Sequence, residues 1–283
     1  MSPSQAVILG VVEGITEFLP VSSTGHLILA GQLLGLRDPG HFTASQMDAL
    51  QAYEIVIQAG AILAVAIIYR ERVVRMLMGL VGRSTAGFRL ARNIVIAFIP
   101  AAAMGLTIKG LVREYLQFTG PVIAALASGG VFMIWFARSR RARKSAVDGL
   151  GIEDLSPRQA LLIGFSQCFA LWPGMSRSMV TIVGGIGAGL SPFAATEFSF
   201  LLGLPTLLAA TAYKGLKEGH SLMEHIGAVP IAIGLGVSAV CAAVTVKWMI
   251  AYLGRMGLVW FGWYRIAVAV AMLSYLGATA SAG

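Results

Sequence analysis

The chain has 283 residues, 57% of them hydrophobic and 12% charged, with a formal charge of +8 and a mean hydropathy of +0.79. That balance excludes a water-soluble fold of this size; the 34 Gly and 10 Pro lie inside apolar runs, where membrane helices tolerate them. The basic residues form no stripe with interleaved aromatics, so the charge does not point to nucleic acid, and an integral membrane protein is expected.

The first apolar stretch, 4–36, is cut in the middle by Pro20-Val21-Ser22-Ser23-Thr24-Gly25. Each arm has about 15 residues, roughly 22 Å at the helical rise, which is short of a hydrocarbon core of about 30 Å. The stretch therefore predicts a re-entrant helical hairpin. Arg37 is the first basic residue, so the start lacks the positive region of a cleavable signal peptide and is expected to belong to the mature protein. Charge-free runs then predict spans at 52–69, 93–109 and 118–137, with basic loops at 70–92 and 138–158. The next apolar stretch, 159–190, is interrupted at Pro173-Gly174-Met175-Ser176 and predicts a second re-entrant hairpin. Spans at 193–213, 226–246 and 258–278 complete six crossings. Cys168 and Cys241 both sit in apolar runs and read as packing residues rather than a disulfide.

Of the Lys and Arg residues, fourteen fall on the face carrying the two basic loops, five on the other face, and Arg177 and Arg265 lie within apolar segments. The rich face is expected to be cytoplasmic, with both termini outside. The cluster from Arg138 to Lys144 is expected to meet anionic lipid headgroups and set the topology. An internal repeat refines the picture. Gly10-Val11-Val12-Glu13 with its tip matches Gly164-Phe165-Ser166-Gln167 with its tip, and Tyr53-Glu54 to Tyr69-Arg70 matches Thr196-Glu197 to Tyr213-Lys214. Each copy is a hairpin plus three crossings, and three is odd, so the second copy is expected upside down. The fold expected is a single all-α membrane domain over 1–283: six transmembrane helices and two re-entrant hairpins in an inverted-topology repeat. The copies span about 4–137 and 159–278, joined by a cytoplasmic loop at 138–158. Sites in such proteins lie at the repeat interface, which taken alone favours a transporter.

Ionisable residues inside a membrane need a partner or a function. Glu13 and Glu17 stand one helical turn apart, where two carboxylates repel unless a proton or cation joins them; a divalent ion, magnesium or calcium, suits oxygen-only ligands beside phosphate. Ser22, Ser23 and Thr24 sit at the first tip, where at least one hydroxyl caps the second arm. His26 follows in the first turn, placed to act as acid, base or nucleophile. The second tip combines Gly174 for close backbone approach, the hydroxyls of Ser176, Ser178 and Thr181, and Arg177, whose fork suits phosphate; the alternative for Arg177 is a pair with Glu13 or Glu17 across the interface. Glu54 and Glu197 are expected to be helix-start residues stabilised by the dipole, and Arg265 to find a carboxylate or helix end.

Glu13-Gly14-Ile15-Thr16-Glu17-Phe18-Leu19-Pro20-Val21-Ser22-Ser23-Thr24-Gly25-His26 and Pro173-Gly174-Met175-Ser176-Arg177-Ser178-Met179-Val180-Thr181 resemble the two signature motifs of the bacitracin-resistance type of undecaprenyl-diphosphate phosphatase. Ala52 to Gly60 and Glu197 to Leu202 extend the resemblance over essentially the whole chain, and only the segment from Arg37 to Leu50 is longer than the family pattern. The resemblance implies hydrolysis of undecaprenyl diphosphate to undecaprenyl phosphate and inorganic phosphate at the outer face of a bacterial inner membrane, recycling the lipid carrier of peptidoglycan synthesis. It implies Glu17, Ser23, His26 and Arg177 as catalytic residues, Ser22, Thr24, Gly174, Ser176, Ser178 and Thr181 as substrate-binding, and Glu13 and Glu17 as metal ligands. Whether Ser23, His26 or water attacks phosphorus stays open. The expected partners are the bilayer and a prenyl diphosphate lipid, with a homodimer left open. The competing reading is a transporter or flippase of a prenyl-phosphate carrier.

Overall fold

The computed structural model of the protein describes residues 1–37, 43–116 and 118–282; the part of the long segment at 38–42 lies outside the described residues. The described chain is helical, with a single isolated bridge between Leu150 and Leu190 as its extended pairing. Two short helices, α1 (Pro3–Thr16) and α2 (Ser23–Leu33), form the first hairpin. A bent span follows, built from α3 (Ala44–Val56) and α4 (Gln58–Ile68), and then α5 (Arg70–Leu80), α6 (Thr85–Leu111), α7 (Thr119–Ala137) and α8 (Arg140–Asp148). The second hairpin is α9 (Pro157–Gln167) and α10 (Arg177–Ala188), followed by α11 (Pro192–His225) and α12 (Ala228–Ala282). Gly257, at φ 59° and ψ 169°, breaks α12 into two legs.

Six helical stretches are long and apolar enough to cross a membrane: Ala44–Ile68, Thr85–Leu111, Thr119–Ala137, Pro192–His225, Ala228–Ala251 and Gly257–Ala278. The protein is a multi-pass membrane protein. The first span starts earlier than the hydropathy predicts because Thr43 and Gln46 form a capping box that nucleates α3 at Ala44. Glu54 therefore lies well inside α3 instead of opening a span, and the dipole assignment gives way to ion pairs. Arg37 Nη2 donates to both Glu54 oxygens at 2.6 and 2.7 Å, and Arg72 Nε donates to Glu197 at 3.0 Å. The two basic loops are not loops throughout: α5 and α8 are short helices with charged outer faces. Ser145 of α8 donates to the carbonyl of Ile186, fastening α8 to the end of α10.

Both hairpins begin with the same device, which the repeat matching missed. Ser2-Pro3-Ser4-Gln5 and Ser156-Pro157-Arg158-Gln159 each form a capping box with Pro in the first turn. They then pack crosswise. A Cβ on Gly10 would lie 2.9 Å from the carbonyl oxygen of Gly234 in α12, and one on Gly164 would lie 2.7 Å from that of Ala97 in α6. The first hairpin thus rests on a helix of the second half and the second hairpin on a helix of the first half, at backbone distances that only glycine permits.

The tips are held together by Arg265. It is fully buried in the second leg of α12 and donates to Pro20 of one tip (3.4 Å), Gly174 of the other (2.9 Å), and Ala125 and Leu126 of α7 (3.0 and 3.3 Å). The expected helix end or carboxylate is replaced by two carbonyls within α7 and by the two that the turns at the tips leave open, those of Pro20 and Gly174. Arg265→Met keeps most of the volume but strands those acceptors, and should lower stability by about 3 kcal/mol or more. Thermal unfolding in detergent reads this out, and an unchanged midpoint would refute the assignment.

Candidate active site

The site grows out of two helix starts. At the first tip, α1 ends with Glu17, whose N–H donates to the Glu13 carbonyl, and the chain turns through Pro20 and Val21 to Ser22. At the second, a 3-10 turn over Cys168–Leu171 leads through Trp172 to Ser176. Ser22 (φ 73°, ψ 100°) and Ser176 (φ 74°, ψ 111°) are the two non-glycine residues with positive φ among the described residues. Each is the N-cap of the following helix, its hydroxyl accepting from Gly25 N–H and Met179 N–H respectively. A left-handed serine costs roughly 1–2 kcal/mol, so two at equivalent positions mark a backbone shape that the surroundings impose. The result is that the N-termini of α2 and α10, each with free N–H groups in its first turn, open onto one place.

That place is a cavity of about 120 Å³ lined by Glu17, Ser22, Ser23, Thr24, Gln58, Gly174, Ser176 and Arg177, among others. Its polar groups are already linked. Ser23 Oγ donates to Glu17 Oε2 at 2.7 Å, and Arg177 Nη2 donates to Glu17 Oε1 at 3.1 Å, so one carboxylate joins the hydroxyl of one hairpin to the guanidinium of the other. Arg177 is fixed further by Nη1 donating to the Ser199 carbonyl at 2.8 Å and by lying 5.3 Å from the ring centre of Phe18. This is the pair across the two halves that the sequence offered as the alternative to phosphate binding.

The other predicted residues divide. His26 lies at the start of α2 but is not in the cavity wall: its Nδ1 pairs with the Ser22 carbonyl at 2.7 Å and its Nε2 with the Tyr264 hydroxyl at 2.8 Å. A carbonyl only accepts, so Nδ1 carries hydrogen. Ser178 and Thr181 turn away from the cavity as well. Ser178 Oγ donates to the Leu19 carbonyl of the opposite tip at 2.7 Å, and Thr181 Oγ1 is 2.6 Å from Ser199 Oγ and donates to the Arg177 carbonyl. Both are completely buried, and their hydroxyls hold the tips and Arg177 in place. Gly174, at φ 96°, passes so close to α7 that a Cβ would meet the Val122 carbonyl. Sequence reasoning did not single out Gln58, at the break between α3 and α4, although a glutamine in an apolar span was the available signal. It also passed over Tyr264, whose position beside Arg265 carries no pattern of its own.

Glu13 is fully buried, and neither carboxylate oxygen has a hydrogen-bond partner. An orphaned carboxylate one turn from Glu17 fits a divalent cation held by oxygen donors. Among the described residues no group of three or more His, Cys, Asp or Glu comes together, so the remaining ligands would come from substrate oxygens and water, as magnesium commonly accepts. A second cavity, about 580 Å³, runs between α6, α9 and α11 with an almost wholly apolar wall, including Phe98, Leu106 and Ala210. Ala170, Arg177 and Leu207 belong to the walls of both cavities.

Residues 6–271 match the model of the family described as bacitracin resistance protein BacA. An undecaprenyl-diphosphatase of Sorangium cellulosum is 48% identical over 269 residues, covering 95% of this chain and 84% of the relative. Proteins named undecaprenyl-diphosphatase 1 in Burkholderia cenocepacia and undecaprenyl-diphosphatase 2 in Rhodospirillum rubrum are each 42% identical over 270 residues, covering 95% of this chain and 94% and 93% of the relatives. With two helix starts sharing one acid–base pair, and a match running through nearly the whole sequence, the chain belongs to the bacitracin resistance protein BacA family.

Proposed function

We propose that the protein hydrolyses undecaprenyl diphosphate to undecaprenyl phosphate and inorganic phosphate, returning the lipid carrier to peptidoglycan synthesis and so conferring bacitracin resistance. The observation that carries this reading is the Ser23–Glu17–Arg177 chain of hydrogen bonds. A nucleophile, a base and a phosphate-type fork meet at two helix N-termini, which together favour a phosphoryl group. The apolar groove that shares Arg177 with this cavity supplies what a prenyl tail requires, namely a dry wall beginning where the headgroup ends. In this reading the hairpins enter from opposite leaflets with both tips near the midplane, and the excess of basic residues on one side supports a cavity open to the outer face of a bacterial inner membrane.

Arg177 and the amides of Ser23 and Arg177 would bind the distal phosphoryl group, with Arg177 exchanging Glu17 for phosphate oxygens. Ser23 Oγ then attacks the distal phosphorus while Glu17 Oε2, already 2.7 Å away, takes its proton. The bond from that phosphorus to the bridging oxygen breaks, and prenyl monophosphate leaves with the electron pair. Glu17 passes the proton it took from Ser23 to the departing monophosphate, then takes a proton from the water that attacks the phosphoserine and returns it to Ser23 Oγ as inorganic phosphate leaves. His26, held by Ser22 and Tyr264 outside the cavity wall, positions the tip rather than attacking. Glu13 with Glu17 would hold magnesium or calcium, which when bound supplies charge neutralisation on the diphosphate.

Turnover quenched with substrate labelled in its distal phosphate should leave label on Ser23 as acid-stable phosphoserine; acid-labile label on His26, or none on the protein, would refute the nucleophile. Arg177→Ala should slow phosphate release by about a thousandfold, the scale of losing an arginine that stabilises a phosphoryl transition state. Chelation should abolish release from farnesyl diphosphate in detergent and added magnesium or calcium should restore it, with full activity in chelator counting against the Glu13 site.

A further inference from the structure

Gln167 is the last residue of α9, one turn before the second tip, and matches Glu13 in the first hairpin. It is 1% exposed, yet neither its amide nitrogen nor its amide oxygen has a hydrogen-bond partner. A buried amide left unsatisfied costs about 1–3 kcal/mol, and the surrounding fold offers no structural return for it. Such a group is expected where a ligand completes it. Gln167 forms part of the wall of the apolar 580 Å³ groove, whose charged lining residues are Arg177, at the junction with the reaction cavity, and Lys109.

A prenyl diphosphate lying with its distal phosphoryl in the small cavity and its tail in the groove must pass its proximal phosphate through that junction. Arg177 is committed to the phosphoryl being transferred and Lys109 lies 6.0 Å from the ring centre of Tyr213, which leaves the unpartnered amide of Gln167 as the donor that the groove wall offers the retained phosphate. We propose that Gln167 is a further substrate-binding residue whose amide N–H groups hold the phosphate retained by the lipid. This rests on the phosphatase reading above and adds a division of labour: Arg177 for the phosphate released, Gln167 for the phosphate kept. A contact to the retained phosphate is present in both ground and transition states, so it governs KM and not kcat.

The test uses Gln167→Leu and Gln167→Glu in the purified full-length protein with farnesyl diphosphate. Gln167→Leu should raise KM about tenfold, the worth of a hydrogen bond to a charged group, with kcat within about threefold of the parent. Gln167→Glu should raise KM further by placing a carboxylate against phosphate. Inhibition by farnesyl monophosphate should weaken by a similar factor in Gln167→Leu, while inhibition by inorganic phosphate stays as it was. Because the leucine removes an unsatisfied amide, its melting temperature in detergent should equal or exceed that of the parent. An unchanged KM, a loss expressed in kcat, equal weakening of both inhibitors, or a destabilised or unfolded Gln167→Leu would each overturn the proposal, since a structural amide predicts the last and an idle one the first. Absence of phosphate release by the parent would instead refute the phosphatase reading itself.

Discussion

The contact on which the rest of the molecule depends is the pair between Glu17 and Arg177, because it joins the two hairpins through opposite charges at the wall of a small, nearly buried cavity. Both side chains are at most a tenth exposed. Removing either would leave an uncompensated charge, whereas a pair of apolar residues would cost the fold little, so stability alone does not explain the arrangement. Its geometry is maintained by its neighbours. Ser199 and Phe18 fix the guanidinium, Ser23 occupies the second carboxylate oxygen, and Ser178 spans from one tip to the carbonyl of Leu19 in the other. Arg265 then gathers the carbonyls that the two turns expose.

The halves share a backbone and differ in chemistry. Capping boxes, crosswise glycine contacts and left-handed serines recur in both hairpins, so both deliver a helix N-terminus to the same cavity. Onto that common frame the first hairpin places carboxylates and the second an arginine and an amide. Two identical tips could not do this: paired acids would repel each other, and paired arginines would have no base to activate a hydroxyl. Divergence between the copies is therefore what turns a symmetric cradle into a site with a direction.

Much of this was legible in the sequence because membrane physics leaves few choices. A hydrocarbon core rejects charge, so the six spans followed from runs without Lys, Arg, Asp or Glu, and arms too short to cross declared the hairpins. Glu17, Ser23 and Arg177 stood out as polar residues in apolar segments at a turn. What escaped was whatever depends on side-chain direction. Nothing in the spacing shows that Ser178 and Thr181 face inward while Ser176 faces the cavity, since all three sit between the N-cap and the second turn of α10. Glu54 and Glu197 read as helix starts because their partners, Arg37 and Arg72, come from elements remote in the chain. Residues 70–92 and 138–158 read as loops because their short helices carry charge where hydropathy looks for apolar faces.

A prenyl diphosphate makes opposite solvation demands at its two ends, and the structure answers them in two different spaces that share walls with one small cavity. One is the apolar groove, sharing Arg177, Ala170 and Leu207 with the cavity. The other is a more polar cavity of about 220 Å³ lined by Arg37, Gln51, Glu54 and Gln58, which shares Thr24, Gln58, Ala170 and Pro173 with it. The reacting phosphoryl would thus sit between a dry wall for the tail and a polar wall suited to water and released phosphate. The break between α3 and α4 at Ile57 is what brings Gln58 to that boundary, and the tip of the second hairpin is what brings Ala170 and Pro173. A straight span or an uninterrupted α9 would merge or close these spaces, so the irregular backbone that costs the fold stability is also what separates lipid from water at the point of reaction.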